Sequence, residues 1–353
     1  MSRSTLLRHL CHARAVRVNH RQPPGSLSRL YCSEVTTPPG LIREAHREDY
    51  TSVMQISSDV YGGRDFLPCM YPVLVRSPDI HSYVFEMSGE VVAFEAAHVV
   101  DDGITIVARG SRVKQNYHGL GILKSLRNHI VDRLVARHAS KFIAMITSST
   151  AELAKDSPSL IPNEVILKRN VHVFPYQTSN LDIPERDDFS ATTVTELTVG
   201  QLCDVFVRPA FSQYLFPYER IIINAVPFRL MTANSELIQS ENPFILMSDK
   251  VRVGRNPPNQ GLVSMTTWYS CKAGICVDLE FYGRSSNFPE ICNHVRRHLQ
   301  HVHHLAPHGH IMVPHSYTIS TDALLCAFSR HGLAPMDSPF KTQYLLEGRI
   351  DTA

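Results

Sequence analysis

Apolar residues follow two different spacings on either side of a short glycine loop in the first half of the chain. An apolar and β-branched run at Ile104–Ala108 predicts a buried strand, which Val113 closes. Beyond the loop, apolar residues at every fourth position predict one face of a long helix: Ile122, Leu126, Ile130 and Leu134. The pattern therefore predicts a strand, a tight loop and a helix in direct succession.

The flanking sequence predicts further strands and helices of ordinary length. Ser88-Gly89 lies between two apolar runs and indicates a hairpin, and Asp101-Asp102-Gly103 indicates a second turn. Gly62 and Gly63 follow an expected helix, where glycine is a common cap. The predicted elements are a strand at 41–43, a helix at 48–60, strands at 82–86, 91–96 and 142–146, a helix at 152–160 and a strand at 165–167.

The second half of the chain repeats this order of elements. The segment Gly283–Asn287 lies between a predicted strand and a predicted helix, but it contains no Gly-x-Gly. The organisation predicted is a leader and linker at 1–40, a first domain at 41–185 and a second domain at 190–350. The elements predicted in the second domain are strands at 261–269 and 274–282, a helix at 288–305, a strand at 310–313 and a helix at 321–331.

Composition argues against several classes of function. The chain has 353 residues, a net charge of +2 and 8 cysteines. A net charge near zero argues against a nucleic-acid-binding protein, which holds phosphates with clustered basic residues. No apolar run has the length of a membrane-spanning helix. The cysteines form no Cys-x-x-Cys pair, so they predict neither a zinc site nor a disulfide framework and indicate reduced intracellular thiols.

The first 33 residues differ in composition from the rest of the chain. They contain six arginines, and no acidic residue occurs before Glu34. This arginine-rich and acid-poor composition is typical of a mitochondrial transit peptide, with Arg29-Leu30-Tyr31 before a candidate cleavage site. A basic tail on a cytoplasmic protein is the alternative. We expect the mitochondrial matrix and keep the cytoplasm open.

The strand–loop–helix unit is also typical of a phosphate-binding site. Backbone N–H groups at a helix start carry partial positive charge, and glycines let a ligand approach the backbone. An ordinary tight turn is the alternative, since a single Gly-x-Gly is a weak motif. The run from His118 to Leu123, preceded by Val113, resembles the acetyl-CoA signature of the GNAT N-acetyltransferase superfamily. His118 stands where that signature has Arg or Gln, and Leu123 stands where it has a small residue.

A second stretch, Asp59–Pro68, looks like the substrate-side loop of the GNAT branch that contains the histidine N-acetyltransferases. The resemblance covers roughly residues 41–174. It implies an α+β fold, in which helices flank a mixed and mostly antiparallel sheet, and the second half would be a GNAT-like domain without the CoA motif. It also implies acetyl-CoA as co-substrate and a small amine acceptor as the other partner.

The resemblance assigns residues to two binding sites. The implied substrate-side residues are Tyr61, Gly62, Arg64 and Asp65, and Arg109 joins them because its guanidinium could bind an acceptor carboxylate. The implied cofactor-binding residues are Ser111, Arg112, Val113, His118, Gly119, Leu120, Gly121, Ile122 and Leu123.

The same resemblance implies how the chemistry would be organised. The strand at 142–146 would splay from the strand before the glycine loop, and a backbone N–H near Ser111–Val113 would polarise the thioester. Glu95 is the candidate general base, with a solvent-facing strand residue as the alternative. Tyr176 is the fallback acid, because Asn163 stands about where relatives often carry a tyrosine.

Histidines are frequent in this chain, and two interpretations of them stay open. His118 is expected to donate to a phosphate, because as a catalytic base it would lie at the wrong end of the cofactor. His294 and His298 have helical i, i+4 spacing, which could hold a metal. We expect no metal there, and instead solvent-exposed or pH-sensitive histidines, because no acid lies nearby to orient the rings.

The function that the sequence predicts is transfer of an acetyl group from acetyl-CoA to the amine of a small acceptor. The resemblance implies an amino acid such as histidine as that acceptor. A protein or polyamine acetyltransferase on the same fold is one alternative. A catalytically degenerate CoA-binding or interaction protein is the other, since Arg109, Leu123 and Asn163 depart from the family pattern.

Overall fold

The computed structural model describes ten segments of the chain. They are residues 38–58, 60–135, 141–147, 164–184, 193–216, 218–249, 251, 261–316, 318–338 and 341–350. The expected helix at 152–160, Asn163 and all but the last three residues of the expected leader lie outside these segments.

The first half forms a hairpin-rich sheet with one long helix. The predicted hairpin at Ser88-Gly89 is confirmed, with positive φ values of 51° and 80° that suit a tight turn. The turn at Asp101–Gly103 is confirmed as well. The elements are β1 (Leu41–Glu44), α1 (Tyr50–Met54), α2 (Leu67–Leu74), β2 (Ile80–Met87), β3 (Glu90–Val100), β4 (Thr105–Val113), α3 (Ile122–Val135), β5 (Lys141–Thr147) and β6 (Glu164–Gln177).

The helix predicted at 48–60 is wrong in its extent. Helix α1 ends at Met54, and Ser57 and Ser58 follow it. Serine favours turns over helix interiors because its hydroxyl competes for backbone hydrogen bonds. Tyr61 and Gly62 then adopt positive φ values of 57° and 62°. Gly62 is therefore part of a separate left-handed turn and does not cap the predicted helix.

The second half repeats this arrangement, as predicted for the region after Gly261. The elements that precede Gly261 were not predicted. The second-half elements are β7 (Val194–Leu197), α4 (Val199–Phe206), α5 (Pro209–Leu215), β8 (Arg220–Ile223), β9 (Val226–Arg229), α6 (Ser235–Ser240), β10 (Phe244–Ser248), β11 (Gly261–Cys271), β12 (Gly274–Arg284), α7 (Phe288–His303), β13 (His308–His315), α8 (Thr321–Ser329) and β14 (Thr342–Arg349).

A single twelve-stranded sheet runs through both halves, in the order β1-β2-β3-β4-β5-β14-β6-β13-β12-β11-β10-β7. Its pairs are antiparallel except for β4–β5 and β12–β13, which are parallel. Strand β14, near the C-terminus, lies between β5 and β6 of the first half. The expected mixed, mostly antiparallel α+β fold is confirmed. Division into domains at 41–185 and 190–350 stays a prediction, because hydrogen bonding continues from one half to the other.

Helix α3 packs on the sheet through the predicted apolar stripe. The four stripe residues, Ile122, Leu126, Ile130 and Leu134, are each at most 2% exposed. They bury against β2, β3 and β4 through Tyr83, Val92, Ala97 and Ile106. The burial holds the start of α3 against the end of β4, where the glycine loop joins them.

None of the helices in the described segments is long and apolar enough to span a membrane. The six cysteines in those segments are free thiols, as the sequence predicted.

Candidate functional site

Strands β4 and β5 diverge partway along their length. They pair in parallel only where Thr105–Val107 lies beside Lys141–Ile143. Strand β4 then continues to Val113 with no ladder to β5 within the described segments. Where strands diverge in this way, backbone N–H and C=O groups on the facing edges can pair with an extended ligand. The splay that the sequence predicted is present.

A β-bulge lies in β4 at the level of this divergence. Phe94 pairs with Arg112 and Ala96 pairs with Arg109, so two residues of β4, Gly110 and Ser111, lie opposite Glu95 alone. Gly110 has a φ of +63°, and a Cβ atom there would lie 3.2 Å from a methyl of Leu67. Ser111 is solvent-exposed although β4 is an inner strand. Bulges of this kind redirect side chains and free backbone groups beside active sites.

Glu95 anchors this bulge to helix α3. Its Oε1 atom lies 2.6 Å from Nη2 of Arg127 and accepts a hydrogen bond of 2.9 Å from the Ser111 hydroxyl. Glu95 is 1% exposed, so the solvent-facing alternative is wrong. The second carboxylate oxygen, Oε2, is also enclosed and has no hydrogen-bond partner in the described segments. An acceptor amine therefore has no open path to Glu95 in this conformation.

The glycine loop leaves open space at the start of α3. Gly119 and Gly121 have φ values of 78° and 72°, in the left-handed region that favours glycine. A Cβ atom on Gly119 would meet nothing within 4 Å. His118 donates through Nε2 to the Val113 carbonyl at 2.9 Å, so its ring is tied to the end of β4. Among the predicted cofactor-binding residues, Ile122 is 1% exposed and contributes its side chain to the core.

The corresponding region of the second half is closed. Glu290, in the first turn of α7, is fully buried and accepts a hydrogen bond from the Ser285 hydroxyl. A bridge between Ser285 and Ile319 joins the end of β12 to the segment before α8. A protein carboxylate therefore occupies the positively polarised helix start. This arrangement supports the expectation, still a prediction, that the second half does not bind CoA.

The predicted substrate-side loop packs against the second half. The Gly63 carbonyl accepts a hydrogen bond from the Ala273 amide at 3.1 Å, and the Arg64 carbonyl accepts one from the Tyr269 hydroxyl at 3.2 Å. Phe66 lies edge-to-face on Tyr269 with ring centroids 6.2 Å apart. The second half thus holds this loop through Ala273 and Tyr269.

Asp65 joins the loop to β4. Its carboxylate accepts two hydrogen bonds of 3.2 Å from the Arg112 guanidinium and one from the Leu67 amide. Arg112 is among the implied cofactor-binding residues, but its side chain faces the substrate-side loop. Tyr61 is 39% exposed at the tip of that loop.

Arg109 lies between the two halves. It is 4% exposed, and its Nη2 atom donates to the Asn224 carbonyl at 3.0 Å. Its guanidinium carbon lies 5.3 Å from the centre of the Phe66 ring. Its Nη1 atom is buried and finds no partner in the described segments. Burial lowers the pKa of Arg109, and the nearby acids Glu241 and Asp278 oppose that effect. One donor of this guanidinium therefore lacks the acceptor that a buried polar atom requires.

Asp278, on β12, is an acid that sequence reasoning missed. It is 8% exposed. Burial, and then the charge of Glu280, raise its pKa to about 7, while Arg169 and Arg109 act in the opposite direction. The sequence carried a signal for it, because Val277-Asp278-Leu279-Glu280-Phe281 alternates apolar and acidic residues within a strand. Both acids lie on the strand face opposite the core formed by Val277, Leu279 and Phe281.

Tyr176 lies away from this cluster. It is 4% exposed on β6, opposite Gly309 of β13, and packs in the core of the second half. Burial raises its pKa to about 12. No contact within the described segments joins it to Glu95 or to Ser111. The structure therefore does not bring the fallback acid together with the other predicted catalytic residues.

The two histidines on α7 belong to a buried hydrogen-bonded chain. His294 bonds to the hydroxyls of Ser248 (3.1 Å) and Ser264 (2.6 Å), and His298 bonds to those of Ser264 (2.6 Å) and Thr266 (2.7 Å). Their exposures are 0% and 1%, so the expected solvent exposure is wrong for these two residues. Side-chain hydroxyls supply the orienting partners that the sequence did not reveal.

Residues 190–317 match the family model described as "Histidine N-acetyltransferase, C-terminal". The chain is 22% identical over 209 residues to the histidine N-acetyltransferase of Oreochromis niloticus, covering 59% of this chain and 60% of that protein. It is 24% identical over 216 residues to that of Xenopus tropicalis, covering 59% and 65%. Over 103 residues it is 30% identical to the probable N-acetyltransferase 16 of Homo sapiens, covering 29% and 28%. The chain thus matches less than two thirds of the length of each of these relatives.

Two solved structures share the fold over most of the chain. A GCN5-related N-acetyltransferase from Sphaerobacter thermophilus aligns with a TM-score of 0.52 and 12% identity, covering 90% of this chain and 98% of that one. A tandem GNAT protein from the clavulanic acid biosynthesis pathway aligns with a TM-score of 0.51 and 11% identity, covering 89% and 100%. At these identities, the likeness concerns the fold alone.

Proposed function

We propose that this chain is a GNAT-type N-acetyltransferase that transfers an acetyl group from acetyl-CoA to the amine of a small acceptor. The acceptor class we propose is an amino acid, with histidine as the first candidate. The observation that carries the proposal is the divergence of β4 and β5 beside an open glycine loop, with a bulge on the same strand. The similarity to proteins named histidine N-acetyltransferases supports the choice of acceptor.

The residues present fit acetyl-CoA. Open space beside Gly119 and the helix start that follows it suit a pyrophosphate. The diverging edges of β4 and β5 suit the amides of a pantetheine arm. When bound, acetyl-CoA supplies the thioester whose carbonyl carbon the amine attacks.

The bulge offers backbone donors for the reacting carbonyl. Gly110 and Ser111 lie outside the regular β3–β4 ladder, so their N–H groups are candidates to polarise the thioester oxygen. Glu95 and Arg127 hold Ser111 in place from the α3 side. We therefore assign Glu95 a positioning role and Ser111 a place beside the reacting atoms.

Arginines on the acceptor side favour an acceptor that carries a carboxylate. Arg109 has a buried donor without a partner in the described segments, and a carboxylate is its natural complement. Because the charge of Arg109 would repel a polycation, an amino acid is the better fit than a polyamine. Leu123 is half-buried at the glycine loop, and whether it hinders the phosphates is decided by the binding experiment below.

Calorimetry of acetyl-CoA with the full-length chain tests the cofactor site. Gly119→Trp should abolish binding because the indole would fill the space beside the loop. Gly89→Trp is the matched control, since Gly89 has a similar φ of +80° and also faces open space, but lies in the β2–β3 turn. Absence of binding by the parent chain would contradict the proposal and leave the interaction-protein alternative.

Acceptor screening would follow, with histidine, other amino acids, spermidine and an amino-terminal peptide. Release of free CoA thiol in the presence of histidine or another amino acid is the expected result. Turnover of only spermidine or the peptide would favour the protein or polyamine alternative.

A further inference from the structure

Two buried groups of opposite charge, one from each half of the chain, form no ion pair in the described segments. Arg109 of β4 has a free Nη1 donor within the described segments. Asp278 of β12 is 8% exposed and forms no ion pair there. Arg109 lies over the Phe66 ring, Phe66 contacts Tyr269 of β11, and β11 pairs Thr267 with Asp278. In agreement with this neighbourhood, the charge of each group shifts the pKa of the other. Buried charges are normally paired and hydrogen-bonded, so this arrangement indicates that something else completes it.

We infer that Asp278 is the general base of the acetyl transfer and that Arg109 and Asp278 together bind a zwitterionic α-amino acid. Arg109 would hold the carboxylate of the acceptor, and Asp278 would hold its ammonium group and take one proton from it. The inference rests on the function proposed above and deepens it, because it names the recognised group and assigns a catalytic residue to the second half.

The architecture supports this assignment from both sides. Arg109 directly precedes Gly110, the bulge residue whose neighbourhood would receive the thioester. Phe66, beneath the Arg109 guanidinium, contacts Tyr269 of β11, the strand that pairs Thr267 with Asp278. The β4 bulge, the substrate-side loop and β12 thus meet through a short series of contacts.

The charged groups around Asp278 keep the pKa of its carboxyl group in the range that suits proton transfer near neutral pH. On its own strand, Glu280 disfavours ionisation, and Cys276 lies on the same strand face. From β6, Arg169 favours ionisation and forms an ion pair with Glu280, and from β4, Arg109 favours it as well. On β11, the phenol of Tyr269 remains neutral because burial raises its pKa. A base with a pKa of about 7 is well matched to catalysis near neutral pH.

The proton and bond changes balance with the acceptor amine and acetyl-CoA as the only reactants. Asp278 takes one proton from the acceptor ammonium, which leaves a neutral amine. Its lone pair forms the N–C bond to the acetyl carbon, the C–S bond breaks, and CoA leaves as a thiolate. The amide nitrogen loses its second proton, which neutralises the thiolate, and Asp278 returns its proton to water. No oxidant or reductant is needed.

Glu95 cannot take this role in the observed arrangement. Its carboxylate forms an ion pair with Arg127 and accepts a hydrogen bond from Ser111, and both of its oxygens are enclosed. Asp278 retains slight exposure and forms no ion pair in the described segments. The general base would therefore come from the second half. This assignment gives the second half a role in catalysis although it has no CoA-binding motif.

The test compares full-length parent chain, Asp278→Asn and Asp278→Glu in acetyl-CoA calorimetry and in histidine acetylation from pH 5.5 to 9. Asp278→Asn should bind acetyl-CoA like the parent, and its kcat should fall by about 10²- to 10⁴-fold, the usual contribution of a general base. In the parent, kcat/KM should rise with pH through about 7 as Asp278 loses its proton, and this rise should vanish in Asp278→Asn. Asp337→Asn, at a side chain that is 89% exposed, is the control and should change neither value.

The outcomes separate this inference from the proposed function. An active Asp278→Asn variant with the parent's kcat and pH profile would overturn the inference and leave the acetyltransferase standing. A parent chain that acetylates no amine would overturn the proposed function and this inference with it. If Asp278→Asn loses acetyl-CoA binding, the Asp278→Glu variant is the deciding one. Partial activity with the rise of kcat/KM moved to a different pH would support the inference. A rise of kcat/KM at the same pH as in the parent would overturn it.

Discussion

Arg127 of α3 lies 2.6 Å from the Glu95 carboxylate of β3, and the Ser111 hydroxyl of β4 donates to the same oxygen atom. One buried ion pair thus connects the helix of the glycine loop, the strand beside it and the bulge. The two parts of the proposed acetyl-CoA site cannot move independently while this contact holds. The contact has consequences for stability that can be measured.

Arg127→Met should lower the free energy of unfolding by about 3–5 kcal/mol, because it leaves the Glu95 charge buried without its partner. The double variant Glu95→Gln/Arg127→Met should recover part of that loss, since no uncompensated charge remains. Urea denaturation followed by circular dichroism measures both. Equal loss in the single and double variants would mean that packing of Arg127, and not its charge, is what matters.

A chain that ends at Ser338 should fail to fold. Removal of β14 would leave β5 and β6 as two unpaired inner edges and would remove the buried residues Leu345 and Leu346. Size-exclusion chromatography should show aggregation, and a synthetic peptide of residues 341–350 added during refolding should restore some soluble protein. A soluble, cooperatively unfolding truncated chain would contradict the role assigned to β14.

Ser264→Ala should destabilise the chain by about 1–3 kcal/mol or more, because it removes the one hydroxyl that bonds both His294 and His298. Ser270→Ala, at an exposed position on the same strand β11, is the control and should change stability by less than about 0.5 kcal/mol. Guanidinium denaturation of the two variants measures the difference. Similar stabilities would show that water can replace the Ser264 hydroxyl.

Stability should fall as the pH drops below about 6.5, and His98 should account for part of the fall. Burial, and then the charge of Arg109, lower its pKa from 6.5 to about 3. Above pH 6.5 the ring is neutral in both states, whereas below it only the unfolded chain binds the proton. Between pH 7 and pH 5 this linkage costs about 2 kcal/mol, and it increases until the pH approaches 3.

His98→Met should therefore show a shallower loss of stability between pH 7 and pH 5 than the parent chain. His303→Met, at an exposed site, should retain the parent's slope. Thermal unfolding at several pH values measures the slopes. A His98→Met slope equal to that of the parent would assign the pH dependence to other groups.

Acetyl-CoA should bind with one equivalent per chain. The start of α7 in the second half already holds the buried carboxylate of Glu290, and the Ser285–Ile319 bridge closes the neighbouring strands. Calorimetric stoichiometry measures this directly. Two equivalents, with one remaining in Gly119→Trp, would contradict the assignment.

Local patterns in the sequence were sufficient for the long helix α3 and for the glycine loop before it, but not for the extent of α1 or for the elements between β7 and β10. The four-residue spacing of Ile122 to Leu134 predicted the buried face of α3, and the glycines at 119 and 121 predicted the left-handed loop before it. The resemblance to a known family supplied the fold and the splay of β4 and β5. These features depend on neighbours within a few residues or on a motif, so the sequence alone determined them.

Contacts between distant residues were decided only by the tertiary structure. In the sequence Glu95 is an acidic residue in a predicted strand. Only the structure shows its ion pair with Arg127, which lies 32 residues later in the chain. Asp278 follows Arg109 by nearly half the length of the chain, and β14 joins the first half from the far end of the second. Burial, pairing and pKa depend on which strands lie side by side in the sheet. No local spacing encodes that neighbourhood, which is why the sequence led to Glu95 as the candidate base and the fold leads us to propose Asp278.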